Sequence, residues 1–215
     1  MRALMFSLAL VPLAAHFPAQ AQTAPLNDTG VTQCISGGAL VACTDATTGD
    51  TAAEPRQDAR FGRDAAAGKS QLSKTGGGAA GFDFTALNAS GNPTAPGGHV
   101  CVRDNVTGLI WSTETISNVT LSAATTAAAT YNRCGYNSNW RVPTRRELLS
   151  IVHYGTDSPA VDTNYFPNTI SSWYWTSEVY APIPAYVRLV GFHNGYSGGD
   201  YPTASYYVRL VRSGP

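Results

Sequence analysis

The chain has 215 residues, of which 43% are hydrophobic, and its 14 basic and 14 acidic residues give a formal net charge of zero. Because it has no basic stripe to neutralise a phosphate backbone, binding to nucleic acid is disfavoured. The length allows one well-buried domain, or a modest domain with an irregular extension.

The first 21 residues are typical of a secretory signal peptide. Arg2 supplies the positive start, residues 3–15 are mostly apolar, and Ala19-Gln20-Ala21 fits a small-x-small cleavage site. The apolar run is too short to span a bilayer. We therefore expect a secreted protein, periplasmic, extracellular or on the cell surface, and not an integral membrane protein.

Residues 22–98 have little periodicity and are predicted to form an irregular extension. A short helix is expected around residues 59–67, and Phe82 and Phe84 alternate with Asp83 as in a short strand. The glycine-rich residues 74–81 are predicted to be a flexible connector, and residues 92–98 form a second break. The domain boundary is therefore expected near residue 99, with the domain covering residues 99–215.

Four cysteines, at positions 34, 43, 101 and 134, fit an oxidising compartment and allow three pairings. We favour Cys34–Cys43 together with Cys101–Cys134, because this pairing keeps each bridge inside one region. The closely spaced Cys or His clusters of a structural zinc site are missing from the sequence. No metal and no other cofactor is expected.

Within the domain, the pattern predicts strands at residues 100–102 and 106–111 and an alanine-rich helix at residues 121–133. A second helix is expected from Thr144 to about Tyr154. Thr144 is its predicted N-cap, and Glu147, three residues on, has the spacing of a capping box.

The C-terminal part contains two near copies of one strand pattern, residues 186–190 and 207–211. Each alternates in side-chain class as a strand does. Residues 191–205 between them are rich in Gly and Tyr and are predicted to form an exposed loop. The fold class is α+β: a twisted, mostly antiparallel sheet with two helices against it.

Five segments resemble the Lcl C-terminal domain family, which is named for the end of a bacterial collagen-like adhesin. They are residues 101–111 (CVRDNVTGLIW), 140–152 (WRVPTRRELLSIV), 161–167 (VDTNYFP), 173–177 (WYWTS) and 207–212 (YVRLVR). The resemblance implies a C-type-lectin-like arrangement and a secreted bacterial adhesion module, and it supplies no reaction. Whether a homo-oligomer forms stays open, because the chain has no Gly-x-y collagen repeat to drive trimerisation.

The aromatic C-terminal region is the strongest functional signal. Tyr and Trp present a flat apolar face with a polar edge, which suits sugar rings and protein partners alike. We expect Trp173 and Trp175 in the core and Tyr196 and Tyr201 exposed. The candidate ligand-binding residues are Tyr196, Tyr201, His193, Asn194, Asp200 and Arg188.

The function predicted from these features is a non-enzymatic binding or adhesion module that recognises a glycan or a cell-surface protein. Arg209, like Arg188, is a candidate for an anionic ligand. The alternatives are a periplasmic or extracellular hydrolase that uses His153 and Asp162, and a structural protein of the cell envelope. No nucleophile motif supports the hydrolase.

Overall fold

The computed structural model describes residues 27–43 and 57–214, and the predicted signal peptide lies outside these residues. The strands are β1 (Gln33–Ser36), β2 (Ala39–Ala42), β3 (Phe84–Leu87), β4 (Cys101–Asp104), β5 (Leu109–Ser112), β6 (Ile116–Val119), β7 (Trp173–Val179), β8 (Val187–Gly191), β9 (Ser197–Asp200), β10 (Tyr206–Val208) and β11 (Val211–Ser213). The α-helices are α1 (Gly62–Gly68), α2 (Leu121–Ala129) and α3 (Arg145–Leu149), and a 3-10 helix covers Asp58–Arg60.

The strands form two main sheets and one small hairpin. The larger sheet has the order β6-β10-β7-β8-β9, and the second has the order β11-β5-β4-β3, while β1 and β2 pair with each other. Every strand pair is antiparallel except β10 with β7. The predicted α+β class with mostly antiparallel strands is confirmed, although the predicted single sheet is divided into two.

Both faces of the larger sheet are buried at its centre. Neighbouring residues of a strand point to opposite faces, and in β7 Tyr174 joins one hydrophobic cluster while Trp175 joins the other. The first cluster also holds Phe82 and Phe192, and the second holds Trp140. The predicted burial of Trp175 is confirmed, whereas Trp173 is only half-buried.

The capping box of α3 is confirmed, but the helix is shorter than predicted. The Thr144 hydroxyl accepts from the Glu147 amide, and the Glu147 carboxylate accepts from the Thr144 amide. The helix ends at Leu149 because the next turn is tighter: the Ile151 and Val152 amides donate to carbonyls three residues back, Leu148 O at 3.4 Å and Leu149 O at 3.1 Å. Beyond this turn the His153 amide donates to Ala160 O at 3.0 Å and the Tyr154 amide to Thr29 O at 2.8 Å, so the chain leaves the helical direction there.

Helix α2 also ends early, at Ala129 and not at Arg133. Arg133 and Tyr136 instead exchange backbone hydrogen bonds, Arg133 N to Tyr136 O at 3.0 Å and Tyr136 N to Arg133 O at 2.9 Å. This turn places Cys134 beside Cys101, and the predicted disulfides Cys101–Cys134 and Cys34–Cys43 are both present.

The extension packs directly on the domain. Strand β3 pairs with β4 in the register Phe84↔Asp104, and the rings of Phe82 and Phe84 are buried. The connector is held by hydrogen bonds, because the Lys74 ammonium donates to the carbonyls of Gly78 and Ala80 at 2.8 and 2.5 Å. The packing therefore continues across residue 99, where the domain boundary stays a prediction.

The two near-copy segments form different secondary structure. The first becomes β8, while the second is divided between β10 of the larger sheet and β11 of the other sheet. The interval between them was predicted to be a loop, and this is wrong in part, since it contains β9 hydrogen-bonded to β8. The backbone groups of β8 provide the partners that a glycine-rich segment needs to form a strand.

Candidate functional site

The predicted ligand-binding residues lie around β9, which forms one edge of the larger sheet. Tyr196 comes directly before β9 and Tyr201 directly after it. Their side chains are 69% and 54% exposed, so the predicted exposure is confirmed. We call β9 with its two flanking tyrosines the β9 edge.

A tight turn positions Tyr196. Gly195 has φ +80°, a left-handed conformation that suits glycine. The Tyr196 carbonyl accepts from the Gly191 amide at 2.8 Å, and its amide donates to Asn194 Oδ1 at 3.1 Å. The Asn194 side chain therefore shapes the turn that holds the tyrosine in the solvent.

Two glycines in β9 let aromatic rings lie against the strand. A Cβ atom added at Gly198 would come 3.2 Å from the Trp173 ring, and one added at Gly199 would come 3.2 Å from the Tyr180 ring. The two rings therefore approach the backbone more closely than a side chain would allow. His193 packs edge-on against Trp173 at a centroid distance of 4.9 Å.

Asp200 fixes the other end of the β9 edge. Its carboxylate accepts from the Tyr201 amide and from the Tyr206 hydroxyl, both at 2.7 Å. The Tyr201 ring meets the Tyr186 ring at a centroid distance of 4.6 Å. Asp200 therefore holds the chain around Tyr201, and its two oxygens are already used as acceptors.

The two arginines of the near-copy segments are not equivalent. The Arg188 guanidinium lies over the Tyr180 ring at 4.1 Å and is half-buried near the β9 edge. Arg209 is completely buried, with its guanidinium over Phe166 at 4.8 Å. The prediction that Arg209 contacts an anionic ligand is therefore wrong, because no surface reaches it.

The structure thus brings all six candidate residues to one region, and their binding role stays a prediction. Tyr196 and Tyr201 are separated by five residue steps along an extended strand, which corresponds to roughly 17 Å. Two further exposed apolar residues that the sequence reasoning did not single out are Val179, at the end of β7, and Ile183, in the turn that follows. Their signal was the proline-rich stretch around Ile183, which favours an exposed turn.

His153 and Asp162, the residues of the hydrolase alternative, are buried, and their side chains accept hydrogen bonds from backbone amides. His153 Nδ1 accepts from the Gly155 amide at 3.0 Å. The Asp162 carboxylate accepts from the amides of Ala79 and Asn164 at 2.8 and 3.0 Å. Within residues 27–43 and 57–214, no hydrogen bond joins the two side chains. Their positions explain how the extension is fastened to the domain.

The buried state of His153 predicts a pH dependence of stability. Burial lowers the pKa of His153 below its ordinary value of 6.5, partly offset by the charges of Asp162 and Asp64. The unfolded chain then takes up a proton at a higher pH than the folded chain, so stability is complete above pH 6.5 and is lost as the pH falls towards the folded value. In His153→Asn, which retains an acceptor, we expect a flatter dependence of the free energy of unfolding on pH below 6.5.

Urea denaturation at a series of pH values measures this slope. His193→Asn is the control for the removal of a histidine. An unchanged slope in His153→Asn would contradict the prediction.

Three carboxylates that the sequence reasoning did not single out meet in the extension. Ligand oxygens of Asp28, Asp58 and Asp64 lie within 4.8 Å of one another. Asp64 accepts from the amides of Gly30 and Gly81 at 2.7 and 2.6 Å. Burial raises the pKa of Asp64, and the charge of Asp28 adds to this. These oxygens hold the chain around Gly30 against α1.

Arg209 is the most unusual charged residue in the described part of the chain. Burial lowers its pKa to about 10, so it stays charged at neutral pH. Among the described residues, only Nη2 of the Arg209 guanidinium has hydrogen-bond partners, Thr169 Oγ1 at 2.8 Å and Thr115 Oγ1 at 3.3 Å. The rings of Phe166 and Phe192 lie against the charge, and no carboxylate of residues 27–43 or 57–214 pairs with it.

Fold and site together define a disulfide-bonded α+β domain with an exposed aromatic edge on one sheet. No helix within residues 27–43 and 57–214 has the length and apolarity needed to cross a membrane. The sequence profile of the Lcl C-terminal domain family matches residues 100–212, and the chain belongs to this family. The family is adhesin-related and is not a known family of enzymes. A search of curated proteins finds no match to the chain.

Proposed function

We propose that the protein is a secreted, non-enzymatic bacterial adhesion module that binds a glycan or a surface protein through the β9 edge. The observation that carries the proposal is the exposure of Tyr196 and Tyr201 at the two ends of one edge strand. Large exposed aromatic side chains cost free energy in water, and they supply contact area at low entropic cost in a recognition surface.

The geometry favours an extended ligand. A ligand that touches both tyrosines has to follow β9 for roughly 17 Å, which is longer than a single sugar ring. Asp200 and His193 already have partners in the protein, and these contacts make the β9 edge rigid. A rigid frame lowers the entropic cost of binding. An oligosaccharide chain or an extended peptide of a surface protein meets these conditions.

Export and a lectin-like arrangement belong to the same proposal. The two disulfides are typical of an oxidising compartment, and the signal-peptide pattern of residues 1–21 directs the chain there. A C-type-lectin-like arrangement of the two sheets agrees with a recognition surface at one sheet edge. The hydrolase and the structural-protein alternatives have no observation of their own in their favour.

A glycan array probed with the oxidised protein tests the proposal. We expect selective binding to oligosaccharides, weakened about tenfold or more in Tyr196→Ala/Tyr201→Ala, since central aromatic residues dominate binding energy. Phe61→Ala is the matched control, because Phe61 is an exposed aromatic residue outside the β9 edge. Each single variant should lose part of the affinity.

Two outcomes would redirect the proposal. Glycan binding that survives in the double variant would move the site away from the β9 edge. If no glycan binds, pull-downs from bacterial and host surfaces with the wild-type protein and the double variant test a protein partner. The β9 edge is ruled out if the captured partner is the same for both.

A further inference from the structure

A cavity of about 550 Å³ opens at the opposite side of the larger sheet from the β9 edge. It lies beside β6 and β10, whereas β9 is the last strand at the other edge. Its lining includes Glu114, Ser117, Arg133, Asn168, Ile170 and Tyr207. The volume is within the range of pockets that bind small ligands.

The inner wall of the cavity is fixed before any ligand arrives. The Thr115 hydroxyl donates to Asn168 O at 2.9 Å and accepts from Arg209 Nη2 at 3.3 Å. The same Nη2 donates to Thr169 Oγ1 at 2.8 Å. His99 is held at both ring nitrogens, by the Gly97 amide and by Tyr165 O. A ligand therefore does not have to order this wall.

Three polar groups on the lining remain available to a ligand. The Ser117 hydroxyl, the Asn168 side-chain amide and the Tyr207 hydroxyl have no hydrogen-bond partner within residues 27–43 and 57–214. Together they offer several donors and acceptors at one cavity. The Tyr207 ring, supported by Tyr174 at a centroid distance of 5.6 Å, and the side chain of Ile170 supply apolar contact.

The charges of the lining cancel. Arg133 Nη2 lies 2.5 Å from the Glu114 carboxylate, which also accepts from the Tyr131 hydroxyl at 2.8 Å. Arg209 lies behind Thr115 and Thr169 and does not reach the cavity. Hydroxyls, an amide, an aromatic ring and a neutralised ion pair match an uncharged polyhydroxylated ring better than an anion.

We propose that this cavity is a second binding site and that it takes one uncharged sugar ring. The ring packs on Tyr207 and Ile170, and its hydroxyls bond to Ser117, Asn168 and the Glu114–Arg133 pair. The site is separate from the β9 edge and does not depend on the function proposed for that edge. Two sites on opposite edges of one sheet would let the protein hold a branched glycan or two separate chains.

Titration of the isotope-labelled, oxidised chain with the methyl glycosides of glucose, galactose and mannose, followed by NMR, tests this proposal. We expect the side-chain amide signals of Asn168 to shift, while the signals of Phe61, which lies outside both proposed sites, stay in place. Tyr207→Phe and Asn168→Ala should each weaken binding about threefold to tenfold, as expected for one hydrogen bond. Tyr207→Phe retains the ring and its packing, so a folded protein is expected. Phe61→Ala changes an exposed aromatic residue outside both proposed sites, so it is the control and should bind as the wild type does.

Three results would overturn the proposal. The first is the absence of shifts with all three glycosides at about 10 mM, a concentration that would fill about nine-tenths of a site with a Kd of about 1 mM. The second is binding that is lost in Tyr196→Ala but unchanged in Tyr207→Phe, which assigns the sugar to the β9 edge. The third is binding of methyl glucuronide without binding of the uncharged glycosides.

Discussion

Loss of the Cys101–Cys134 disulfide is expected to lower the free energy of unfolding by about 3–4 kcal/mol. The two cysteines are 33 residues apart in sequence, and the bridge restricts the unfolded chain over that whole interval. Both are buried in the second hydrophobic cluster, where they join the start of β4 to the turn after α2. Urea denaturation of Cys101→Ala/Cys134→Ala measures the loss.

Cys34→Ala/Cys43→Ala is the matched control. This bridge closes only 9 residues and joins the mostly exposed hairpin β1–β2. The chain-entropy relation gives about 2.6 kcal/mol for it, and its removal leaves no cavity in the main clusters. If the hairpin bridge proved to be the more stabilising of the two, the conclusion that Cys101–Cys134 contributes most to stability would be wrong.

The second large effect is expected at Arg209, and its sign depends on the replacement. Arg209→Ala should cost about 3 kcal/mol or more, because it leaves a cavity under Phe166 and Phe192. Arg209→Met should lie within about 1 kcal/mol of the wild type or be more stable, since it fills the space and removes a buried charge that has no carboxylate partner. Thermal and urea denaturation distinguish the two variants.

Arg188→Ala is the control that the near-copy segment offers. Arg188 occupies the same place in its strand pattern and is half-buried, so its replacement should cost less than about 1 kcal/mol. If Arg209→Met proved as damaging as Arg209→Ala, the charge itself would be stabilising. The hydrogen bonds from Nη2 to Thr115 and Thr169 would then be its source.

Local features were predictable from the sequence. The capping box of Thr144 and Glu147 depends on two residues three positions apart, so the pattern itself contains its partners. The disulfide pairing followed from keeping each bridge within one region. The exposure of Tyr196 and Tyr201 followed from their glycine-rich surroundings, which lack the apolar neighbours of a core strand.

The lengths of the helices were less predictable, because the apolar pattern of α3 continues beyond its last α-helical residue. The apolar residues Ile151 and Val152 continue the helical pattern of α3 and are buried as expected. Their amides nevertheless bond to carbonyls three residues back, which is tighter than an α-helix. The chain then turns away, since Ala160 and Thr29 accept from the His153 and Tyr154 amides, and no local pattern could indicate these acceptors.

The residue pattern was enough to indicate the α+β class, the two disulfides, the capped helix and the exposed tyrosines near the C terminus. The strand β9, the division of one near-copy segment between two sheets, and the burial of Arg209 but not of Arg188 follow from the packing of the whole domain. Local hydrogen bonds and chain entropy act between residues that are close in sequence. Burial and strand pairing depend on which distant segments pack together, and two nearly identical segments therefore reach different environments.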